Sequence, residues 1–191
     1  MSSATAIELP GYVVGTWDFD PPHTYVGFVV RHLVVTKVRG RFENVEGHIV
    51  TAENPLESSV EVTVDLSSVN TNNETRDNHL RSADFFESES HPTMTFRSTG
   101  VRQDGDDFIL DGDLSIKDVT RPVSLTFEYA GTAPDPWGGT RIGFSAKGEL
   151  NRRDYNVNFE GLQNGLAVVA DKVEIVIDVE AKLRQEQPAA E

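Results

Sequence analysis

The chain contains no cysteine, so neither a disulfide nor a thiolate-bound metal is available to it. Basic residues are scarce: 17 Lys and Arg stand against 31 Asp and Glu, a formal net charge of -14. With no basic stripe to neutralise phosphates, nucleic acid is excluded as a partner, and adsorption of the whole chain to an anionic surface is disfavoured. No apolar run approaches the roughly 20 residues needed to span a bilayer. Met1–Pro10 has neither a basic n-region nor a continuous apolar h-region, which reads as a soluble, cytoplasmic protein. Reactive signatures are missing too: there is no G-x-S-x-G elbow and no phosphate-cradling glycine loop. None of His23, His32, His48, His79 and His91 has the H-x-x-x-H spacing of a helical zinc site. Asp104-Gly105-Asp106-Asp107 lacks the long loop and terminal Glu of a calcium site and reads as a hairpin turn. The residues call for no cofactor and no metal.

What is present is period-2 alternation. Val26, Phe28, Val30 and His32 share one face of a strand; Val60, Val62, Val64 and Leu66 alternate with Ser59, Glu61, Thr63 and Asp65. Phe108, Leu110, Leu114 and Ile116 fall at even spacing, as do Val123, Leu125, Phe127 and Tyr129, and then Val173, Ile175, Ile177 and Val179. Turn signals separate them at Asn54-Pro55, Asp104-Gly105, Pro134-Asp135-Pro136 and Gly138-Gly139. The pattern predicts an all-β fold, an antiparallel meander closing on itself, as one domain over residues 11–183 with flexible termini at 1–10 and 184–191. The exception is Asn72 to Glu89, which reads as one short helix followed by an irregular segment. A lone helix in such a chain must pack on a sheet or cap a barrel end.

Parity places Trp17, Phe28, Val30, Phe42, Phe96, Phe108, Phe127 and Phe144 inward, with Gly27, Gly40, Gly112 and Gly143 nearby. An eight-stranded barrel either fills its middle with such side chains or holds one ligand, and alternation alone admits both. His32 points inward beside Phe28 and Val30. The densest polar cluster is Arg76, Asp77, His79, Arg81 and Asp84. Asp77 and Arg81 are i,i+4 neighbours suited to a surface pair, while Arg76 and His79 share a helix face from which a guanidinium could grip a phosphate. An enzyme acting on a lipid-like substrate, with His32 or His79 as its acid–base group, is a competing reading, as is a filled, ligand-free structural barrel.

These words in this order resemble the YceI-like family. The resemblance runs through Trp17-x-Phe19-x-Pro21-x-His23, Phe28-Val29-Val30-Arg31-His32-Leu33, Val38-Arg39-Gly40-Arg41-Phe42 and Arg76–Phe86. It continues through His91-Pro92, Met94, Phe96 and Ser98-Thr99, then Gly112–Val123 and Asp171–Asp178. It implies a lipocalin-like antiparallel barrel of about eight strands, with an elongated cavity for a polyisoprenoid or an isoprenoid quinone. It implies no settled catalytic activity, a carrier or store rather than an enzyme, and a possible homodimer. Under it, Trp17, Phe28, Val30, Phe42, Phe96, Phe127 and Phe144 line the cavity. Arg76, His79, Phe85 and Phe86 frame its mouth, with His32 as an inner polar contact. Asp154-Tyr155-Asn156-Val157 departs from the D-F-G-[MV] form associated with that region, a change expected to reshape one end of the cavity.

Overall fold

The computed structural model describes residues 7–185. The expectation of loose ends falls, for residues 1–6 and 186–191, outside the described residues. Nearer the domain, the Pro10 carbonyl accepts from the Tyr129 hydroxyl at 3.1 Å, and Arg184 pairs with Asp18 at 2.6 Å.

The chain runs β1 (Gly15–Phe19), β2 (Tyr25–His32), β3 (Thr36–Phe42), β4 (Val45–Thr51), β5 (Ser59–Asp65), β6 (Val69–Asn70) and α1 (Glu74–Arg81). There follow β7 (Thr93–Asp104), β8 (Asp107–Ile116), β9 (Val119–Pro134), β10 (Thr140–Asn151), β11 (Leu162–Gln163), β12 (Leu166–Ala167) and β13 (Val169–Leu183). Strands β1, β4, β5, β7, β8, β9, β10 and β13 pair antiparallel in that order, and β13 returns to β1, closing an eight-stranded barrel. Closure leaves this ring no edge strand. Strands β2 and β3 prolong the barrel beyond β1 and β4, with β2 pairing along β13 from Val169 to Asp178.

Pro21-Pro22 explains why the first long strand is broken in two. Proline has no N–H for the ladder and its fixed φ suits a turn. Phe19 and Tyr25 are six positions apart, whereas their β13 partners Ala181 and Asp178 are three apart, so the excess loops out as a short 3₁₀ turn. Below that loop lies a buried carboxylate, Asp20. It accepts from His23 Nδ1 at 2.7 Å, faces Lys182 Nζ at 3.2 Å and is gripped by Arg141, which also holds Glu180 and, at 2.9 Å, Asp135. Asp20, His23 and Glu180 converge closely enough to hold a cation. The Arg141 guanidinium already supplies the positive charge there.

The helix forms where wall is missing, because β6 is only two residues long. Asn73 caps it by accepting from the Arg76 N–H at 2.9 Å. Asp77 does not make the expected surface pair with Arg81. It is buried and accepts from the Thr71 N–H at 2.9 Å and the Thr71 hydroxyl at 2.6 Å, since a carboxylate taken out of water needs donors close by. Arg81 instead donates to the carbonyls of Ser67 at 2.8 Å and Val69 at 3.2 Å, tying α1 to the strand it caps. Leu80 and Phe86 then cover the barrel, packing against the clusters around Phe42 and around Phe85.

Four inward glycines keep the interior thin-walled. A Cβ on Gly40 would sit 2.3 Å from the Phe28 ring; on Gly112, 2.3 Å from the Phe96 ring; on Gly47, 2.7 Å from Phe19; on Gly148, 2.6 Å from Leu125. Each glycine lets a large side chain of a neighbouring strand lie flat on the wall instead of crossing the middle.

Two expectations follow. Burial works to raise the Asp20 carboxyl, but hydrogen bonds from His23, Arg141 and Lys182 outweigh it and hold it at about 2. A folded value below the unfolded one means stability that is complete above about pH 4 and fades as pH falls towards 2, worth about 2 kcal/mol. Asp20→Asn should therefore lower the urea-unfolding free energy at pH 7 by about 2–3 kcal/mol, and by far less at the acid end of that window. Gly40→Ala, which drives the Phe28 ring off the wall, should cost about 1–3 kcal/mol in thermal unfolding, and Phe28→Leu in the same chain should recover part of it.

Candidate functional site

The centre of the barrel is hollow. Val173, Ile175, Ile177 and Val179 lie on β13, which is paired on both sides, and all four face inward, yet each remains partly exposed. A strand with neighbours on both edges can expose an inward side chain only to an internal void. That void is an elongated cavity of about 750 Å³, within the range of pockets that enclose a whole small molecule.

Its walls are built by parity. Val26, Phe28 and Val30 contribute from β2, Leu110 and Leu114 from β8, Leu125 and Phe127 from β9, and Phe144 and Ala146 from β10. Apart from one tyrosine, the titratable residues on its surface are, among the described residues, Arg31, Arg76, Arg152, His32 and His79; no carboxylate is among them, in a chain with 31 acids. Arg31, Asn73, Thr75 and His79 are exposed and form a mouth between the end of β2 and α1, while Ser58 and Ser59, at the start of β5, line the cavity at its opposite end.

Among the described residues, the structure brings together nearly all the side chains expected from sequence: Phe28, Val30, His32, Phe42, Arg76, His79, Phe85, Phe86, Phe96, Phe127 and Phe144 all line this cavity. Trp17 does not. Its indole N–H needs an acceptor, which Thr51 Oγ1 provides at 2.9 Å, and the ring is fully buried among Ile49, Ile142 and Ala181 as the barrel floor. Phe108, also inward by parity, lies near the tip of the β7–β8 hairpin and packs on Phe127 at 5.7 Å without reaching the cavity.

Over the mouth, the segment after β10 folds back towards α1. Phe159 packs 5.0 Å from both His79 and Phe85, so two loops remote in sequence meet in one aromatic cluster. His79 Nε2 lies 2.7 Å from Asp84 Oδ2, but both side chains are substantially exposed and Asp84 is not part of the lining. Arg76 is turned back on Thr71, donating to its hydroxyl at 2.7 Å and its carbonyl at 2.8 Å.

Arg152 was not foreseen. In Asn151-Arg152-Arg153-Asp154 it looks like one more solvated charge, yet it is buried and lines the cavity. Its guanidinium donates to the carbonyls of Val157 at 2.6 Å, Phe159 at 2.9 Å and Ala170 at 3.0 Å, stitching the mouth segment to β13. Burial pulls its pKa below the ordinary arginine value, against the attraction of Asp171. The Tyr155-Asn156 departure also resolves here. Asn156 adopts left-handed backbone (φ 59°), which asparagine tolerates almost as glycine does, and the Tyr155 ring is buried in the cavity wall.

Comparison with known proteins agrees with this architecture. The model of the YceI-like domain matches residues 17–181. Protein YceI of Escherichia coli O17:K52:H18 is 39% identical over 164 residues, covering 85% of this chain and 83% of its own. The crystal structure of the Campylobacter jejuni YceI protein superposes with a TM-score of 0.69 at 31% identity, over 81% of this chain and 90% of its own. A polyisoprenoid binding domain from Saccharophagus degradans shares the fold, with a TM-score of 0.67 at 18% identity over 90% and 100% of the two chains. On the family match and the shared sequence together, this chain belongs to the YceI-like family.

Proposed function

We propose that this protein binds a long isoprenoid-type lipid, a polyisoprenoid or an isoprenoid quinone, with the tail in the barrel and the headgroup at the mouth, as a carrier or store. The observation that carries this reading is the hollow, elongated, almost wholly apolar interior with its arginines and histidines gathered at one end. Likeness to a domain named for polyisoprenoid binding supports the choice of cargo.

The energetics suit a tail-driven binder. Burying one CH₂ contributes about 0.8 kcal/mol, so a five-carbon unit contributes roughly 3 kcal/mol. Lost rigid-body freedom and ordering of the tail cost several kcal/mol, so a few units in contact with the wall suffice for firm binding. A headgroup contact then mainly fixes which end enters first. Arg31, Arg76, His32 and His79 give the mouth positive or polar character and suit an anionic head such as a phosphate. The competing reading, acid–base chemistry by His32 or His79, has less support: among the described residues no carboxylate lines the cavity, and Asp84, the partner of His79, lies outside it.

Native mass spectrometry after mixing with a long isoprenoid alcohol, and separately with its phosphate, tests the proposal. One ligand should remain bound per chain. Ala146→Trp, which places an indole in the lumen, should cut retention of both ligands at least about tenfold while the protein stays folded by circular dichroism. Undiminished retention in Ala146→Trp would place the lipid elsewhere.

A further inference from the structure

Beside the mouth, two hairpin tips carry the most exposed aliphatic side chains near the cavity. Val34 and Val35 in the β2–β3 turn are 64% and 79% exposed; Leu162 and Leu166 in the β11–β12 hairpin are 73% and 52% exposed. The tips are neighbours. The Leu33 N–H donates to the Val168 carbonyl at 3.1 Å, the Val168 N–H to the Gly161 carbonyl at 2.8 Å, and His32 pairs with Val169. Val168, Val169, His32 and Arg31 all line the cavity, so the apolar rim is continuous with its wall.

The β2–β3 turn does not need these residues. Leu33 and Val34 both have positive φ, 49° and 66°, a conformation that a β-branched side chain resists. The β8–β9 turn has almost the same backbone, 50° and 63°, with Lys117 and Asp118, and the β11–β12 turn uses Asn164-Gly165, the ordinary choice. Apolar side chains are thus held in water, on a disfavoured backbone, beside the mouth.

Charge singles out the same place. Residues 21–42 contain Arg31, Lys37, Arg39 and Arg41 and no acid, in a chain of net charge -14; residues 161–170 carry no charge. Arg31, Lys37 and Arg39 are exposed, and of these Lys37 has only a distant partner, Glu174 at 4.0 Å. Nearby acids are engaged: Glu160 by Arg153 at 2.6 Å, Asp171 by Arg153 at 2.7 Å and Asp84 by His79 at 2.7 Å.

The geometry points to a docking surface for an anionic lipid bilayer: Val34, Val35, Leu162 and Leu166 enter the interfacial region while Arg31, Lys37 and Arg39 meet the headgroups. One apolar or one electrostatic signal alone gives marginal, reversible attachment, and here both coincide. The acidic remainder is repelled by the same surface, so attachment presents the mouth to the membrane and lets a tail pass between bilayer and barrel without crossing water. The purpose of this surface rests on the lipid-binding reading; its physical attachment does not.

Co-sedimentation with isoprenoid-free vesicles, one set of phosphatidylcholine and one of equal parts phosphatidylcholine and phosphatidylglycerol, tests it on the full chain. The protein should partition onto the mixed vesicles and much less onto phosphatidylcholine alone. Val35→Glu with Leu162→Glu should lower that partitioning at least about tenfold, and Arg39→Glu should weaken it and flatten its salt dependence. Retention of the isoprenoid alcohol, delivered from detergent, should be unchanged in these surface variants. Vesicle binding that follows the tips while no variant retains isoprenoid would leave docking standing and remove the cavity reading. Absence of vesicle binding, equal binding by the double variant, or a protein dimer that the double variant dissociates would overturn the proposal, the last assigning the tips to a second copy of the chain.

Discussion

The whole molecule depends on its inner side chains lying along the wall. Eight strands make a ring whose interior side chains can just fill, so hollowness has to be arranged position by position. Here glycine on one strand faces a large side chain on the next: Gly40 under Phe28, Gly112 under Phe96, Gly47 under Phe19, Gly148 under Leu125. The aromatic rings keep their contact with backbone and give up contact across the lumen. Stability therefore resides in the closed ladder and in the packing at the two ends.

Those ends are built differently. The floor is dry and tight: Trp17 is fully buried with its N–H on Thr51, and the nearby charges of Asp20, Arg141, Glu180 and Lys182 neutralise one another. The mouth end is a seam of separate parts, α1 on one side and the Val157–Phe159 segment on the other, meeting through His79, Phe85 and Phe159. Arg152 holds one side of that seam through backbone carbonyls and an ion pair with Asp171 at 3.1 Å, which fixes the position of Phe159 while Asp171 stays outside the cavity lining.

Much of this was legible in the residues. Strand parity sent Phe28, Val30, Phe96, Phe127 and Phe144 to the inner face because period-2 alternation is a local property of the backbone. It failed for Trp17 and Phe108 because parity reports the face and not the height along the barrel: one sits at the floor, the other near a hairpin tip. Arg152 was hidden by its neighbours, since burial of an arginine depends on carbonyls that the fold delivers from residues 157–170. Asp77 was misassigned for the same reason. Its i,i+4 relation to Arg81 is visible in sequence, but its real partner, Thr71, becomes available only when the chain turns beneath α1.

By itself, the order of the residues determined the all-β class, the single short helix, and which face of each strand is apolar. Those are properties of neighbours a few residues apart. Only the tertiary structure decided that the inner faces stand apart instead of interlocking, and that Val34 and Val35 come to rest beside Leu162 and Leu166 at the mouth. An enclosed volume is what remains after strands far apart in sequence have closed their ring, and no local pattern encodes that remainder.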